Sequence, residues 1–252
     1  MGRAFYSIRE FFISQYDGEL SFVDAELGVL FRRIKELGLD SKTMIIITAD
    51  HGEHFGDNEN ADKDFIFEHG NSLFDIELKV PLIIKSNSDF IAKKKVLKEQ
   101  VELIDVYPTI LDYLEIKNTN SIEGISLLPG ILGKEFQVKK YAFSELFRLA
   151  EEEGDTGQYF ISVRTTRWKL ISLEDLCNRS FCNNSNPKYY FFDIKNDPKE
   201  FNNLSGSRNQ NFDVLKNELL EFINKSGSRK KPKSSYISNE EKQTLKNLGY
   251  LQ

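Results

Sequence analysis

Apolar residues recur at steps of three and four along the early part of the chain. Tyr16, Leu20, Val23, Leu27, Leu30, Ile34 and Leu37 stack on one face at helical spacing, which predicts an amphipathic helix over 16–38. Such a stripe packs on a sheet; a short coiled coil is the other arrangement it serves. Gly38 supplies a C-terminal stop. The pattern then changes. Residues 43–49 (Thr-Met-Ile-Ile-Ile-Thr-Ala) form an unbroken apolar run of strand length, and 80–84 (Val-Pro-Leu-Ile-Ile) form a second. Runs without alternation suit strands buried on both faces, as in a parallel sheet with helices on either side. Helix, strand and loop in this order are the grammar of an α/β domain.

Between the two runs, residues 50–72 form a polar loop. Farther on, Val101, Ile104, Val106, Ile110, Leu111 and Leu114 predict a helix over 99–114, which Pro108 should bend. Residues 118–137 are rich in loop formers. Short, partly alternating segments follow at 141–145, 160–164, 168–172 and 189–193, separated by turn chemistry such as Asn196-Asp197-Pro198. They predict a small antiparallel sheet, then a helix at about 212–224. A basic stretch from Gly227 to Lys233 reads as a solvated tether, with a last short helix over 239–248. No internal repeat is visible. The expected divisions are 1–137, 138–226 and 227–252.

Composition narrows the function classes. Hydrophobic residues make up 40% of the 252, with 20 Phe and 10 Tyr, enough for a sizeable core. The net charge of −5 argues against a general nucleic-acid binder. No apolar run has the length of a membrane span. The first residues, MGRAFYSIREFFIS, lack the apolar centre of a signal peptide, so a genuine N-terminus here would mean a cytoplasmic protein. Cys177 and Cys182 form a C-x4-C pair in a polar loop; a local disulfide and two free thiols both fit.

The strongest chemical signal is Ala49-Asp50-His51-Gly52-Glu53, placed where the first apolar run ends. Open α/β sheets bind ligands just beyond the carboxyl ends of strands. A bend there can turn a carboxylate and an imidazole toward one cation, and Gly52 permits a tight turn and close backbone approach. All three histidines, His51, His54 and His69, fall in this loop. An Asp that caps a turn beside a surface His is the competing reading of the same residues.

Several blocks in order resemble the sulfatases of the alkaline-phosphatase-like superfamily. Tyr16-Asp17-Gly18-Glu19 through Asp24 and Gly28 is similar to the helix before that family's metal strand, and Thr43 to Gly52 (TMIIITADHG) to the strand itself. Glu68-His69-Gly70-Asn71-Ser72-Leu73-Phe74-Asp75 with Lys79-Val80-Pro81 is similar to the next block. Ile104 to Leu111, Ile122 to Leu127, Arg167 to Ile171, Phe192 to Glu200 and Leu248 to Leu251 match later ones. The resemblance implies a partial alkaline-phosphatase-like parallel sheet flanked by helices, plus a small C-terminal antiparallel sheet with a helix. It also implies a sulfate-ester hydrolase acting on a small molecule or glycan.

By that resemblance, Asp50 and His51 bind the catalytic divalent metal, usually Ca2+, with Mn2+ or Zn2+ in relatives. His69 contacts the sulfate or the leaving oxygen, where a donor imidazole would stabilise the departing alkoxide. His54 falls where relatives carry an acid and is expected outside the site. Lys79 stands where relatives often have Arg, and Asp17 and Asp24 are expected to be structural. The family's nucleophile lies in a C/S-x-P-x-R motif upstream of its metal helix, and neither Cys177 nor Cys182 sits in one. The expectation is therefore a C-terminal half that lacks the nucleophile segment, exposes sheet surface normally covered, and is inactive alone. Phosphodiesterase, phosphonate hydrolase or phosphoethanolamine-type transferase chemistry is the alternative on the same fold. A non-catalytic metal-binding remnant is the alternative of another class.

Overall fold

The computed structural model describes residues 3–56, 69–86, 96–117, 121–148, 158–175 and 188–226. Glu68, Cys177, Cys182, the basic stretch 227–233 and the expected helix 239–248 lie outside the described residues. The chain falls into two compact units, Met1–Lys216 and Asn217–Gln252.

Helix α1 spans Arg3–Glu36 and so begins well before the expected start at 16. Ile8 and Phe12 continue the same stripe at the same spacing toward the N-terminus. The end is as expected. Gly38 takes φ +66°, its N–H reaches Lys35 O at 2.9 Å, and Leu39 N reaches Ile34 O at 3.0 Å. These are the two bonds of a Schellman stop. The stripe itself remains open: Leu20, Val23 and Leu30 are each about half exposed.

Strands β1 (Met44–Thr48) and β2 (Leu82–Ser86) fall on the two apolar runs, but they pair with each other antiparallel, with Ile46 opposite Ile84. The expected parallel arrangement does not hold between these two, nor does burial on both faces. Met44 to Ile47 of β1 are half-buried, Thr48 is exposed, and Ile83 in β2 is 55% exposed. An apolar run reports a tendency to be buried; the direction of the neighbouring strand comes from how the connecting chain returns.

Between them lies the four-residue helix α2 (Asp75–Leu78). Helix α3 covers Val106–Tyr113 after a 3-10 turn at Leu103–Asp105, a later start than the expected 99. Pro108 bends nothing, because it occupies the first turn, where backbone N–H groups have no partner within the helix. The loop-rich region holds only the short helix α4 (Leu128–Ile131). Its entry is fixed by Asp105, whose carboxylate accepts Ile125 N–H at 2.8 Å, and by Thr109, whose hydroxyl oxygen accepts Leu127 N–H at 2.9 Å.

The expected C-terminal sheet is present as an antiparallel meander: β3 (Ala142–Arg148), β4 (Gln158–Arg164), β5 (Trp168–Asp175) and β6 (Lys188–Asp193), in that spatial order. Helix α5 follows at Gln210–Ser226. The sheet carries the core. Ile171, Phe192 and Ile194 pack with Leu73 and Phe74 from the segment just before α2. Among the described residues no helix is long and apolar enough to cross a membrane.

Candidate functional site

Asp50 and His51 stand where β1 ends, and the chain bends there. The N–H of His51 donates to Asp50 Oδ1 at 3.0 Å, which holds the carboxylate against its own backbone. The ring of His51 is oriented by the next peptide, with Nδ1 2.8 Å from Gly52 O. A carbonyl oxygen only accepts, so Nδ1 carries the proton and a neutral ring keeps Nε2 bare. That bare nitrogen lies 3.7 Å from Asp50 Oδ1. Two ligands of one ion have such a separation when each sits at about 2.0–2.6 Å from it. A histidine whose far nitrogen is tied to a backbone carbonyl is the usual support of a metal ligand. The donor set fits a divalent cation in kind but supplies two ligands. Among the described residues no group of three or more His, Cys, Asp or Glu side chains is gathered closely enough to hold an ion.

Gly52 explains how the bend is held. Its N–H donates to Glu77 O at 2.7 Å, and a Cβ at this position would overlap the carbonyl oxygen of Ile76. Only glycine lets the backbone approach α2 this closely.

His69 comes to the same place from the other end of the loop. Its ring stacks on that of His51, with centroids 3.8 Å apart and planes 18° from parallel. Its Nδ1 lies 3.1 Å from Glu53 Oε2, and a carboxylate in that position makes Nδ1 the donor. The three expected site residues are thus within one cluster. His54 is elsewhere in character: it is 2% exposed, and its Nε2 has no hydrogen-bond partner among the described residues. Lys79, Asp17 and Asp24 are all exposed.

Two carboxylates of the site carry no role in a sequence reading. Glu53 orients His69, and Glu77 holds the turn that follows it, accepting from Gly70 N, Asn71 N and the Ser72 hydroxyl. Glu77 left one signal: it is a charge set between Ile76 and Leu78 in a segment that leads out of buried Leu73 and Phe74.

Beneath α2 lies a buried ionic group. Lys169 Nζ is 2.7 Å from both Asp75 Oδ1 and Glu200 Oε1, and Arg164 reaches Asp75 at 3.0 Å. Glu200 Oε2 also accepts the N–H of Asp75 at 2.6 Å. Burial works to raise the Asp75 carboxyl, but Lys169 and Arg164 together outweigh it and hold it below the ordinary value. For Glu200 burial wins and pushes the carboxyl up, with Lys169 only partly offsetting it. This group ties the site-bearing segment to β4, β5 and the turn after β6.

Known proteins bear on this geometry. Residues 7–116 match the family model described as Sulfatase, a span that contains most of α1, β1, the Asp50–His51 bend and His69. Residues 7–116 belong to the sulfatase family. Beyond this sulfatase segment the likeness continues. The chain is 31% identical over 192 residues to the multifunctional alkaline phosphatase superfamily protein PehA of Trinickia caryophylli, covering 76% of this chain and 36% of that protein. It is 29% identical over 190 residues to arylsulfatase K of Bos taurus, covering 72% of this chain and 31% of that one. The chain spans about a third of the length of these curated relatives. In fold it is similar to the crystal structure of the phosphonate monoester hydrolase of Agrobacterium radiobacter, with a TM-score of 0.64 at 21% identity, covering 89% of this chain and 43% of that one. The fold is mixed α/β of the alkaline-phosphatase-like kind.

Proposed function

We propose that the chain is the metal-binding and C-terminal part of a sulfate-ester hydrolase. Asp50 and His51 serve as ligands to a divalent cation, and His69 as the proton donor to the leaving oxygen. The observation that carries this is the His51 ring. Its Nδ1 is committed to Gly52 O, its Nε2 is left beside Asp50 Oδ1, and its face lies on His69. Ca2+ is the proposed ion, with Mn2+ and Zn2+ as competitors that an imidazole nitrogen serves well. When bound, the cation would supply positive charge to the oxygens of the anionic ester.

The residues of the chain supply the rest. Asp50 and His51 would hold the cation at the end of β1. Glu53 accepts from His69 Nδ1, which leaves Nε2 as the atom for proton transfer to the leaving oxygen. The nucleophile is proposed to come from a further segment of the same fold, an N-terminal half relative to these residues, since no C/S-x-P-x-R sequence occurs in the 252. The half-exposed apolar side chains Leu20, Val23 and Leu30 of α1 support a covering partner of this kind. The proposed division keeps 1–137 as the catalytic part, 138–226 as a small C-terminal subdomain and 227–252 as linker and terminal helix. The proposed substrate is a sulfate ester of a small molecule or glycan.

Calorimetric titration of the chain with CaCl2 and with MnCl2 tests the ligands. One site is expected, lost in Asp50→Ala and in His51→Ala; a chain that binds neither ion sinks the assignment. The chain alone is expected to leave 4-nitrophenyl sulfate intact, and turnover by the purified chain would overturn the account of the nucleophile. A phosphonate or phosphate ester is the second reading, favoured by the likeness to PehA and by the fold of the phosphonate monoester hydrolase. Both chemistries transfer a tetrahedral anion. Once a nucleophile-bearing segment is supplied, the ratio of rates on 4-nitrophenyl sulfate and on a phenylphosphonate ester separates them.

A further inference from the structure

Glu77 is 6% exposed, and its two oxygens accept three hydrogen bonds from one turn. Oε2 takes Gly70 N–H at 2.8 Å and Asn71 N–H at 3.3 Å, and Oε1 takes the Ser72 hydroxyl at 2.5 Å. Its own backbone carbonyl takes Gly52 N–H at 2.7 Å. One residue therefore holds both ends of the loop, through the peptide that follows His51 and through the turn that follows His69. Those two rings are the pair that stacks at 3.8 Å.

Glu77 is itself anchored. Two positions before it, Asp75 is gripped by Lys169 at 2.7 Å and Arg164 at 3.0 Å. Leu73 and Phe74, immediately upstream, are 3% and 5% exposed in the core of the C-terminal sheet. The anchored part is α2, and the two ends of the loop are what it holds.

We propose that Glu77 is a positioning residue: it sets the stack of His69 on His51 and, through that stack, the relation of the Asp50–His51 pair to the His69 donor. Its role is to accept hydrogen bonds. A glutamine in its place can keep an oxygen toward Gly70 and Asn71 and turn its amide toward Ser72 Oγ, so charge is dispensable and shape is not. The consequence for chemistry rests on the function proposed above; the stack itself does not.

The test uses the full chain and the ring signals of its three histidines in proton–carbon spectra, assigned by single His→Gln variants. Stacked rings shift one another's protons upfield. Glu77→Ala is expected to abolish the mutual shift of His51 and His69 while His54 and the amide signals of β4 and β5 stay in place. Its dissociation constant for Mn2+ is expected to rise at least about tenfold, as for other supports of metal ligands. Glu77→Gln should keep both the shift and, within about threefold, the affinity, because it keeps that support. An alanine variant that retains the stack, or a glutamine variant that loses it, overturns the proposal. Should Glu77→Ala fail to fold, Ser72→Ala removes one of the three bonds. A partial loss of the shift is then expected, and an unchanged shift refutes the clamp. A wild-type chain that binds neither Mn2+ nor Ca2+ would end the metal reading and leave the ring spectra to decide on Glu77.

Discussion

Asp75 and Glu200 share the ammonium of Lys169, and burial acts on both carboxyls in the same direction. The outcome differs because Asp75 has Arg164 as a second cation. Lys169 is fully buried, so removing it leaves two buried carboxylates with too little compensation. Lys169→Ala is expected to cost about 3–5 kcal/mol, read from urea unfolding. The two carboxyls also bend the pH dependence of stability in opposite senses. Asp75 has a folded pKa below its ordinary 3.8, so its contribution is complete above that pH and is lost as pH falls through the folded value. Glu200 has a folded pKa above its ordinary 4.5, so the fold loses stability as pH rises from 4.5 through the folded value. Glu200→Gln should therefore flatten the decline in urea midpoint between pH 4.5 and neutrality and leave the acid limb intact. An unchanged slope above 4.5 would remove Glu200 as its source. Asp50, His51 and His69 stood out in the sequence as candidates because their residue types can serve metal and proton chemistry. Glu53 did not stand out, since carboxylates are common on surfaces, and Glu77 left only its place between Ile76 and Leu78, which does not say what it accepts. Gly52→Ala provides a check on the close approach it permits. The added methyl should drive the bend away from Ile76 and unstack His51 from His69, seen in the same ring signals.

Elements followed local pattern where the pattern was dense and departed from it where neighbours decided. The stop at Gly38, the run in β1 and the four strands of the C-terminal meander lie where periodicity and turn residues put them. The start of α1 does not, because a helix can begin without a strong cap and its first turns mix charged with aromatic residues. Helix α2 is too short to show any period. It forms where Leu73 and Phe74, immediately before it, enter the core and fix the chain on that side. Phe74 sits 5.8 Å from the rings of both Phe192 and Tyr190. Phe74→Ala should cost about 3–5 kcal/mol, measured by denaturant unfolding, and should speed amide exchange at Gly70 and Asn71 beyond that at β5. Equal acceleration at both places would mean that Phe74 does not hold the His69 turn in particular.

Across the chain, apolar burial is uneven. The C-terminal sheet has residues such as Ile161, Val163, Leu170 and Phe191 with no exposure, whereas α1 keeps Phe22 66% and Leu20 51% exposed. Side chains that bury little here should cost little to change. Leu20→Glu with Leu30→Glu is expected to shift stability by less than about 0.5 kcal/mol in denaturant unfolding while lowering the binding of a hydrophobic dye. A large loss of stability would show that the α1 face is packed in solution. Residue type and short spacing were enough to read an α/β chain with a helix stopped at Gly38, an apolar strand ending in Asp50-His51, and a late antiparallel sheet. Those features depend on neighbours within one or two turns of chain, where the period of a helix or strand imposes itself. The pairing direction of β1 with β2, the stack of His51 on His69, the grip of Glu77 on Gly70 and the reach of Lys169 to Asp75 emerged only with folding. Each joins groups whose separation along the chain carries no periodic signal, and each is selected by core packing around Leu73 and Phe74 and by the high cost of leaving buried polar groups unpaired.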